Sequence, residues 1–360
     1  VDPVQGLFYL GQPIQELAHS TPEEVIYLLY YGSNPTDVEL TQFKKELRKR
    51  STVSQEVIKH IHQLPKKGHP MKLFAASILL LGMLEGTNDY REDCLNLIAK
   101  MPTIVAALIN DHAGFAGILD SKPELGYMEN FVHMLRLPIP KTEDLIEVMR
   151  LFNILHYDHG GGNLSTFVGK AVASGLEDMY GSMSSSICAL AGPRHGRANQ
   201  DCLEFIEAIL KEVGAEATVV DVEKLLRHKL DKNELIFGFG HAVLRVEDPR
   251  ATIFYNFVRE KYGQHPLVKI AMTLREAGIK VLSENPKISD PYPNVDAISG
   301  IALIAAGFNY SVYFPVLFGL SRCVGIAKQI VYERLEARNG KGLPIVRPKY
   351  FYIGNEEVSG

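Results

Sequence analysis

The sequence predicts an all-α protein, and three observations indicate this fold class. Apolar side chains recur at three- and four-residue steps along most of the chain, which is the spacing of one helix face. Prolines and glycines fall mostly between these segments. The strict alternation that is typical of half-buried strands is almost absent. With 360 residues the chain is long enough for a large core and for more than one domain.

Composition and charge exclude several classes of function. The net charge is only -4 and the basic residues are dispersed, so we expect neither a nucleic acid nor a membrane surface as partner. The longest apolar runs, such as 74–84, are too short to cross a bilayer. The four cysteines lie far apart without metal-ligand spacing, which is typical of reduced thiols in the cytoplasm. Because the sequence starts with Val1, the mitochondrial matrix after removal of a leader stays a second possibility.

The first half of the chain predicts a hairpin arm followed by helices. Gly6 to Gly11 is short, apolar and bounded by glycines, as in a small strand or hairpin. Thr21-Pro22-Glu23-Glu24 has the capping hydroxyl, proline and acids of a helix start. Further helices are predicted over 56–64, 72–84, 94–108 and 143–155.

The second half continues the helical pattern after a turn-rich segment at Phe237 to Gly240. A final long helix is predicted from Pro315 to about Arg338, ending at Asn339-Gly340. The other helices are predicted over 201–213, 221–230, 250–262, 266–276 and 296–306.

One stretch, Gly192 to Gln200, places His195 between a Gly-Pro turn and a second glycine. A helix that starts near Ala198 would direct its unpaired N–H groups back toward the imidazole. A positive helix end disfavours an imidazolium, so we expect a neutral His195 that can donate one hydrogen bond. The alternative is a buried histidine whose partners are structural.

A second candidate cluster runs from His156 to Asn163 at the end of a predicted helix. His156 and His159 lie three residues apart, a spacing that could suit a metal, although no further ligand is nearby in sequence. The three glycines that follow could instead simply stop the helix. Anion binding by His159 is favoured over metal binding, because glycines let a ligand approach the backbone closely.

A third cluster spans Gly238 to Arg250 and contains His241 between a glycine pair and two arginines. The Gly-Phe-Gly sequence alone is not a dinucleotide fingerprint. Arg250 at a helix start opposes the helix dipole, which makes it a candidate for binding an anionic ligand. The alternative is a surface ion pair with Asp248 or Glu247.

Two further charged residues stand out. Asp296 falls at a predicted helix start, where a carboxylate could serve as a cap. Arg322 lies within an apolar helix, and a guanidinium there must find an anion in the protein or in a ligand.

Together these clusters resemble the citrate synthase family. The resemblance rests on GPRHGRANQ at 192–200, GFGHAVLRVEDPR at 238–250 and PNVDAISG at 293–300, with flanking matches over nearly the whole chain. It implies an all-α fold with a large and a small domain. It also implies a transferase that condenses acetyl-CoA with oxaloacetate and then hydrolyses the thioester to citrate and CoA, without a metal or other cofactor.

The resemblance also implies a role for each site residue. Asp296 would be the base that removes a methyl proton, and His195 would donate to the thioester oxygen. His241 would polarise the oxaloacetate ketone and assist hydrolysis. The residues that would bind oxaloacetate are His159, Arg250, Arg322 and, from the other subunit of an obligate homodimer, Arg347. The residues that would contact CoA are Gly238, Gly240, Arg245 and Asn294.

The family fold implies a small domain over 198–307, with 1–197 and 308–360 forming the large domain. Arg194, Arg197 and Ile298 depart from the common family pattern, and the two arginines should further favour a neutral His195. Three alternatives stay open. They are a 2-methylcitrate synthase that uses propionyl-CoA, a catalytically silent binding protein on the same scaffold, and a histidine-based metalloprotein.

Overall fold

The computed structural model describes residues 1–115 and 117–352, and these residues are mostly helical. The predicted all-α class is confirmed. The first elements in chain order are β1 Phe8–Tyr9, β2 Gln12–Pro13, α1 Ile14–Leu17, α2 Pro22–Tyr31, α3 Asp37–Arg50, α4 Gln55–Gln63, α5 Pro70–Glu85, α6 Tyr90–His112, α7 Tyr127–Met134 and α8 Thr142–His156.

The later elements are all helical. They are α9 Leu164–Ser174, α10 Met179–Leu190, α11 Ala198–Val213, α12 Val219–Asp231, α13 Pro249–Tyr262, α14 Pro266–Ser283, α15 Asp296–Ala305 and α16 Phe314–Val331. A short 3₁₀-helix, Ser311–Tyr313, precedes α16, and a short π-helix, Tyr332–Glu336, follows it. The last part of the predicted large domain, 353–360, lies outside the described residues.

Local sequence accounts for the helix starts that were predicted. β1 and β2 pair in an antiparallel hairpin, as the glycine-bounded segment indicated. Thr21 and Glu24 form a capping box at the start of α2, each side chain bonding the other's backbone N–H. All the helices predicted from periodicity are present, although α14 is longer and α16 becomes a π-helix after Val331.

Several helices were not predicted from the sequence. α3 is polar and buries only Phe43 and Leu47, so its apolar stripe is weak. α9 and α10 pack so closely that a Cβ on Gly169 would lie 2.1 Å from the Ser186 hydroxyl oxygen. Small residues of this kind give little periodicity. Pro102 lies inside α6 rather than between helices.

α16 is the central helix of the core. It packs against α2, α6, α8, α9 and α10. It is long and apolar enough to span a bilayer, but 89% of its apolar window is buried inside the protein. α16 is therefore a core helix, and it carries Arg322 into the interior. Helices α11 to α15 pack mainly against one another and meet the rest of the chain chiefly through α1, α8 and α16.

Candidate active site

Residues from five separate segments meet in one charged site. Burial, together with the positive charge of Arg322, lowers the pKa of His159 and His195, and the same charge opposes the burial that raises the pKa of Asp296. The positive charge of Arg250 acts on His159, Asp296 and also His241. These six side chains therefore share one electrostatic environment, although they are as far apart in sequence as residues 159 and 322.

His195 is half-buried and faces the start of α9. Its Nε2 accepts a hydrogen bond from the Ser165 backbone N–H at 3.3 Å and lies 2.9 Å from the Ser165 hydroxyl. A backbone N–H can only donate, so Nε2 is unprotonated and the ring proton lies on Nδ1. Burial, and secondarily Arg322, lowers the pKa of His195 to about 4. The imidazole is neutral at pH 7 and has Nδ1–H to donate.

The predicted neutrality of His195 has a different cause from the one expected. α11 does begin at Ala198, but the first N–H of that helix donates to the His195 backbone carbonyl rather than toward the ring. The helix start that faces the imidazole is that of α9. The two nearby arginines, Arg194 and Arg197, are not among the causes of the lowered pKa.

His241 and His159 face each other, with their Nε2 atoms 3.2 Å apart. His241 Nδ1 accepts backbone N–H bonds from Val243 at 3.0 Å and Leu244 at 2.9 Å. Its proton is therefore on Nε2, the atom that points into the site. Burial and Arg250 lower the pKa of both histidines. Both rings are neutral, and His241 can donate to an acceptor in the site.

Arg250 forms an ion pair with Asp248, but the pair is buried and does not lie on the surface, as the alternative interpretation had predicted. It is 4% exposed, and its Nε and Nη2 bond the Asp248 carboxylate, with a closest distance of 2.7 Å. Asp248 also accepts the Arg250 and Val295 backbone N–H groups. This carboxylate compensates the unfavourable arginine at the start of α13 and holds its guanidinium in place.

Arg322 has no such compensation. It is 1% exposed, its Nε donates to the His156 carbonyl at 2.9 Å, and its guanidinium lies over the Phe318 ring. Within the described residues, no carboxylate lies within salt-bridge distance of it. Burial, with repulsion from Arg250, lowers its pKa to about 10. A buried guanidinium of this kind requires an anionic ligand.

Asp296 opens α15 and is half-buried. Burial raises its pKa to about 6, despite the opposing positive charges of Arg250 and Arg322. Its side chain does not cap the helix it starts, because Asn294 accepts the Asp296 backbone N–H instead. A carboxylate with a pKa near neutrality and no capping partner is suited to act as a general base.

The glycines of the third cluster have a structural task. Gly238 and Gly240 both have positive φ, and a Cβ on Gly238 would lie 2.8 Å from the Cys202 sulfur. Asn294 holds the turn that they form. Its backbone N–H donates to the Gly238 carbonyl, and its Nδ2 donates to the Gly240 carbonyl. These contacts hold the His241 loop beside the start of α15.

Two predicted residues lie outside this cluster. Arg245 is exposed, and its Nη1 donates to the carbonyls of His241 and Leu244. Arg347 is exposed in the tail, where the Val346 N–H donates to the Ser174 hydroxyl at the end of α9. Ser165, which contacts His195, is at the other end of α9, roughly 14 Å away from Ser174 by helix geometry.

Three residues of the site were not found from the sequence. Asp248 was interpreted as the start of a helix and as a surface partner of Arg250, but not as the buried carboxylate that holds the Arg250 guanidinium. Ser165 follows Asn163, which caps α9, and this could have indicated a helix N-terminus near a ligand. Tyr9 accepts from the Asp158 N–H and donates to the Ile154 carbonyl, and no local signal indicated this contact.

The histidine pair considered for a metal is divided between two environments. His156 is buried, its Nδ1 lies 2.7 Å from the Phe152 carbonyl, and its ring stacks on Phe152. His159 faces His241 instead. In the part of the chain that the structure describes, no group of three or more metal-ligating side chains is assembled.

The fold and the site define a helical enzyme of the acid–base type, with a raised-pKa carboxylate, neutral histidines and buried arginines for an anionic substrate. Residues 1–349 match the family described as citrate synthase, C-terminal domain. The chain belongs to the citrate synthase family, and its enzyme class is an acyltransferase that forms a carbon–carbon bond.

Individual relatives agree with this assignment. The chain is 35% identical to a mitochondrial citrate synthase of Citrus maxima, covering 97% of this chain and 78% of that protein. It is 33% identical to a mitochondrial 2-methylcitrate synthase of Yarrowia lipolytica, and this match covers 98% of this chain and 79% of that protein. A citrate synthase of Thermoplasma acidophilum, solved with carboxymethyl coenzyme A and oxaloacetate, superposes with a TM-score of 0.84 at 27% identity, covering 99% of this chain and 92% of that one.

Proposed function

We propose that the chain condenses acetyl-CoA with oxaloacetate and water to give citrate and CoA, with the six clustered residues as its machinery. The observation that carries the proposal is the meeting of the buried, unpaired Arg322 with the proton-donating Nε2 of His241 and the carboxylate of Asp296. Together they offer anion binding, ketone polarisation and a base within one site.

Oxaloacetate is a small dicarboxylate with a ketone. The guanidiniums of Arg250 and Arg322 supply charge for its carboxylates, and the neutral ring of His159 supplies a further hydrogen bond. His241 Nε2, which now faces His159, would donate to the ketone oxygen and make its carbon electrophilic.

Acetyl-CoA must lose a weakly acidic methyl proton. The Asp296 carboxylate takes this proton, while Nδ1–H of His195 donates to the thioester oxygen on which enolate charge develops. The enolate carbon attacks the ketone carbon, and the Nε2–H of His241 stabilises the new alkoxide by a hydrogen bond until the alkoxide takes up the proton held by Asp296. The oxygen of a water molecule then bonds to the thioester carbon as the carbon–sulfur bond breaks; one water proton goes to the CoA thiolate and the other is released when the new citrate carboxyl ionises.

The site residues come from each predicted domain segment: His159 and His195 from 1–197, three others from 198–307, and Arg322 from 308–360. We propose that the small domain closes over bound oxaloacetate and so excludes water before acetyl-CoA reacts. Gly238, Gly240, Arg245 and Asn294 stay proposed CoA contacts. Arg245 is exposed and could meet phosphates, whereas Asn294 already uses both side-chain ends within the protein.

A homodimer is supported by an apolar surface on three packed helices. α10 packs against both α5 and α9. On α5, Leu79 and Met83 are 45% and 80% exposed, and they share one face. On and after α9, Leu164, Phe167 and Leu176 are 55%, 50% and 76% exposed. An apolar surface of this extent is typical of a protein–protein interface.

The position of Arg347 supports a shared site within this dimer. It lies beyond Ser174, at the end of α9 remote from Ser165 and His195. If two copies pair α9 in antiparallel fashion, the end of one α9 lies beside the start of the other. Arg347 of each chain would then reach the oxaloacetate site of its partner.

Release of free thiol from acetyl-CoA in the presence of oxaloacetate tests the reaction. We expect turnover that needs both substrates and persists in a chelator, since no cofactor is assigned a step. Asp201→Asn is the matched control for Asp296→Asn and should keep its activity. Asp201 is another half-buried carboxylate with a raised pKa, but it lies on α11, outside the six-residue cluster. A wild-type rate no greater than background would reject the proposal.

The alternative substrate is propionyl-CoA, since one relative is a 2-methylcitrate synthase. One methylene changes discrimination by only about 10- to 200-fold. We expect a higher kcat/KM for acetyl-CoA than for propionyl-CoA, and the reverse order would assign the chain to 2-methylcitrate synthesis. The four cysteines are unpaired in the structure, which supports a reducing compartment such as the cytoplasm.

A further inference from the structure

The hydroxyl of Tyr9 lies inside the hydrogen-bond ladder at the end of α8. In a continuing α-helix the Asp158 N–H would donate to the Ile154 carbonyl, four residues earlier. Instead the Tyr9 hydroxyl stands between these two groups. It accepts from the Asp158 N–H at 3.2 Å and donates to the Ile154 carbonyl at 2.9 Å. A side chain inserted into this ladder distorts a helix, and α8 accordingly ends at His156, before His159.

α16 holds the rest of this segment. Its donors bond two carbonyls at the end of α8 and the Asp158 carboxylate. The Asp158 N–H, by contrast, bonds the hydroxyl of Tyr9, which lies 149 residues earlier in the chain. Loss of this hydroxyl would leave the N–H unpaired or let it donate to the Ile154 carbonyl, as in a longer helix. Either outcome changes the direction in which the chain leaves α8 toward His159.

Tyr9 is buried among the charges of the site and stays protonated. It is 1% exposed, and burial raises the pKa of its hydroxyl well above the ordinary value, although the positive charges of Arg322 and Arg250 oppose this shift. A neutral phenol can donate and accept at the same time, whereas a phenolate can only accept. Both hydrogen bonds of the hydroxyl are therefore present at neutral pH.

The hairpin arm that carries Tyr9, residues 2–13, also contacts the loop of His241. The Pro3 carbonyl in this arm accepts the backbone N–H of Arg245 at 2.8 Å. The arm is thus bound to both segments that place the histidine pair, whose Nε2 atoms lie 3.2 Å apart. Tyr9 makes the contact on the side of His159.

We propose that Tyr9 is a positioning residue of the oxaloacetate site. Its hydroxyl ends α8 at the point from which His159 is directed toward His241, and it acts on the substrate only through His159. The inference rests on the proposed function, in which the neutral ring of His159 binds oxaloacetate. It adds to that function a residue that lies far from the site in sequence.

Tyr9→Phe tests the assignment, because it removes the hydroxyl and keeps the ring. We expect the oxaloacetate KM to rise about tenfold, with kcat within about threefold. Tyr127→Phe is the matched control, since Tyr127 is also buried and its hydroxyl donates to the Ile98 carbonyl at 2.7 Å, on α6. This control should lose a similar amount of stability and keep the wild-type KM. An unchanged KM for Tyr9→Phe, or an equal rise for Tyr127→Phe, overturns the proposal.

A double-mutant cycle with His159→Ala separates positioning from general destabilisation. The quantity compared is the oxaloacetate Kd, measured by calorimetry without acetyl-CoA. Because Tyr9 acts through the His159 ring, Tyr9→Phe should change this Kd by less than about twofold once the ring is absent. Equal effects of Tyr9→Phe in both backgrounds overturn the proposal.

A crystal structure of Tyr9→Phe gives a readout that needs no substrate. We expect the Nε2 atoms of His159 and His241 to lie beyond hydrogen-bond distance of each other. A histidine pair that keeps its wild-type geometry overturns the proposal. Wild-type protein without thiol release would refute the reaction itself, while the distance between the two histidines would still test the role of Tyr9.

Discussion

Asp296→Asn should make the protein more stable while abolishing most of its activity. The pKa of Asp296 is raised from 3.8 to about 6, so the ionised carboxylate destabilises the folded state. A shift of about two units corresponds to ~3 kcal/mol at neutral pH, and screening of this half-buried group reduces the expected gain to about 1–3 kcal/mol. The charge is removed but the side-chain shape is kept, so the free energy of unfolding should rise by this amount at pH 7.5.

The stability gained by Asp296→Asn depends on pH. Above pH 6 Asp296 is ionised in both the folded and the unfolded state, and the gain from Asp296→Asn is complete. As the pH falls from 6 toward 3.8, the folded protein takes up the proton first and the gain shrinks. At pH 5 we expect about half of the neutral-pH value. Urea unfolding of both proteins at pH 7.5 and pH 5 measures this difference.

The same variant should lose thiol release by about 10²–10⁴-fold, or ~3–5.5 kcal/mol of transition-state stabilisation. Oxaloacetate binding, measured by calorimetry, should persist because Arg250 and Arg322 remain. Asp248→Asn is the contrasting variant. Its carboxylate pairs with Arg250, which lowers the pKa of Asp248, so its loss should destabilise the protein by about 3–5 kcal/mol. A less stable Asp296→Asn protein at pH 7.5, or turnover within tenfold of wild type, would refute this reasoning.

Three further predictions concern pH, the shared site and the glycine turn. Below pH 6, kcat/KM for acetyl-CoA should fall about tenfold per pH unit as Asp296 is protonated, because His195, with a pKa of about 4, charges only at lower pH; a flat profile from pH 7 to 5 would contradict this. Arg347→Ala should raise the oxaloacetate KM, and mixing with an Asp296→Ala chain should recover active sites; failure to recover them would argue against a shared site. Gly238→Ala should lower the thermal midpoint by several degrees, because its φ is positive and the new Cβ would meet the Cys202 sulfur at 2.8 Å; an unchanged midpoint would show that the turn can relax.

Much of the fold could be predicted because it is encoded locally. The capping box of Thr21 and Glu24 starts α2. The apolar periodicity of α8 and α13 is a property of the sequence and does not depend on which other segments these helices contact. α3 was missed because its stripe contains only Phe43 and Leu47. α10 was missed because small residues allow close packing from several sides, which removes the one-sided pattern that sequence reasoning needs.

The candidate residues of the site were likewise visible in the sequence, but their partners were not. Arg250 was predicted to bind an anionic ligand, with a surface ion pair as the alternative, whereas the fold buries an ion pair between Arg250 and Asp248. His195 was expected to face α11, whereas the chain brings it to the start of α9. Both differences depend on which segments meet, and no local spacing contains that information.

The sequence by itself determined the helical class and the family, and it indicated the candidate residues of the site, because these follow from residue types and short-range spacing. Only the tertiary structure decided their protonation. The folded chain makes His195 neutral through burial, fixes the proton of His241 on Nε2 through two backbone donors, and raises the pKa of Asp296 by removing water. Desolvation and fixed hydrogen-bond donors exist only after distant segments have packed together.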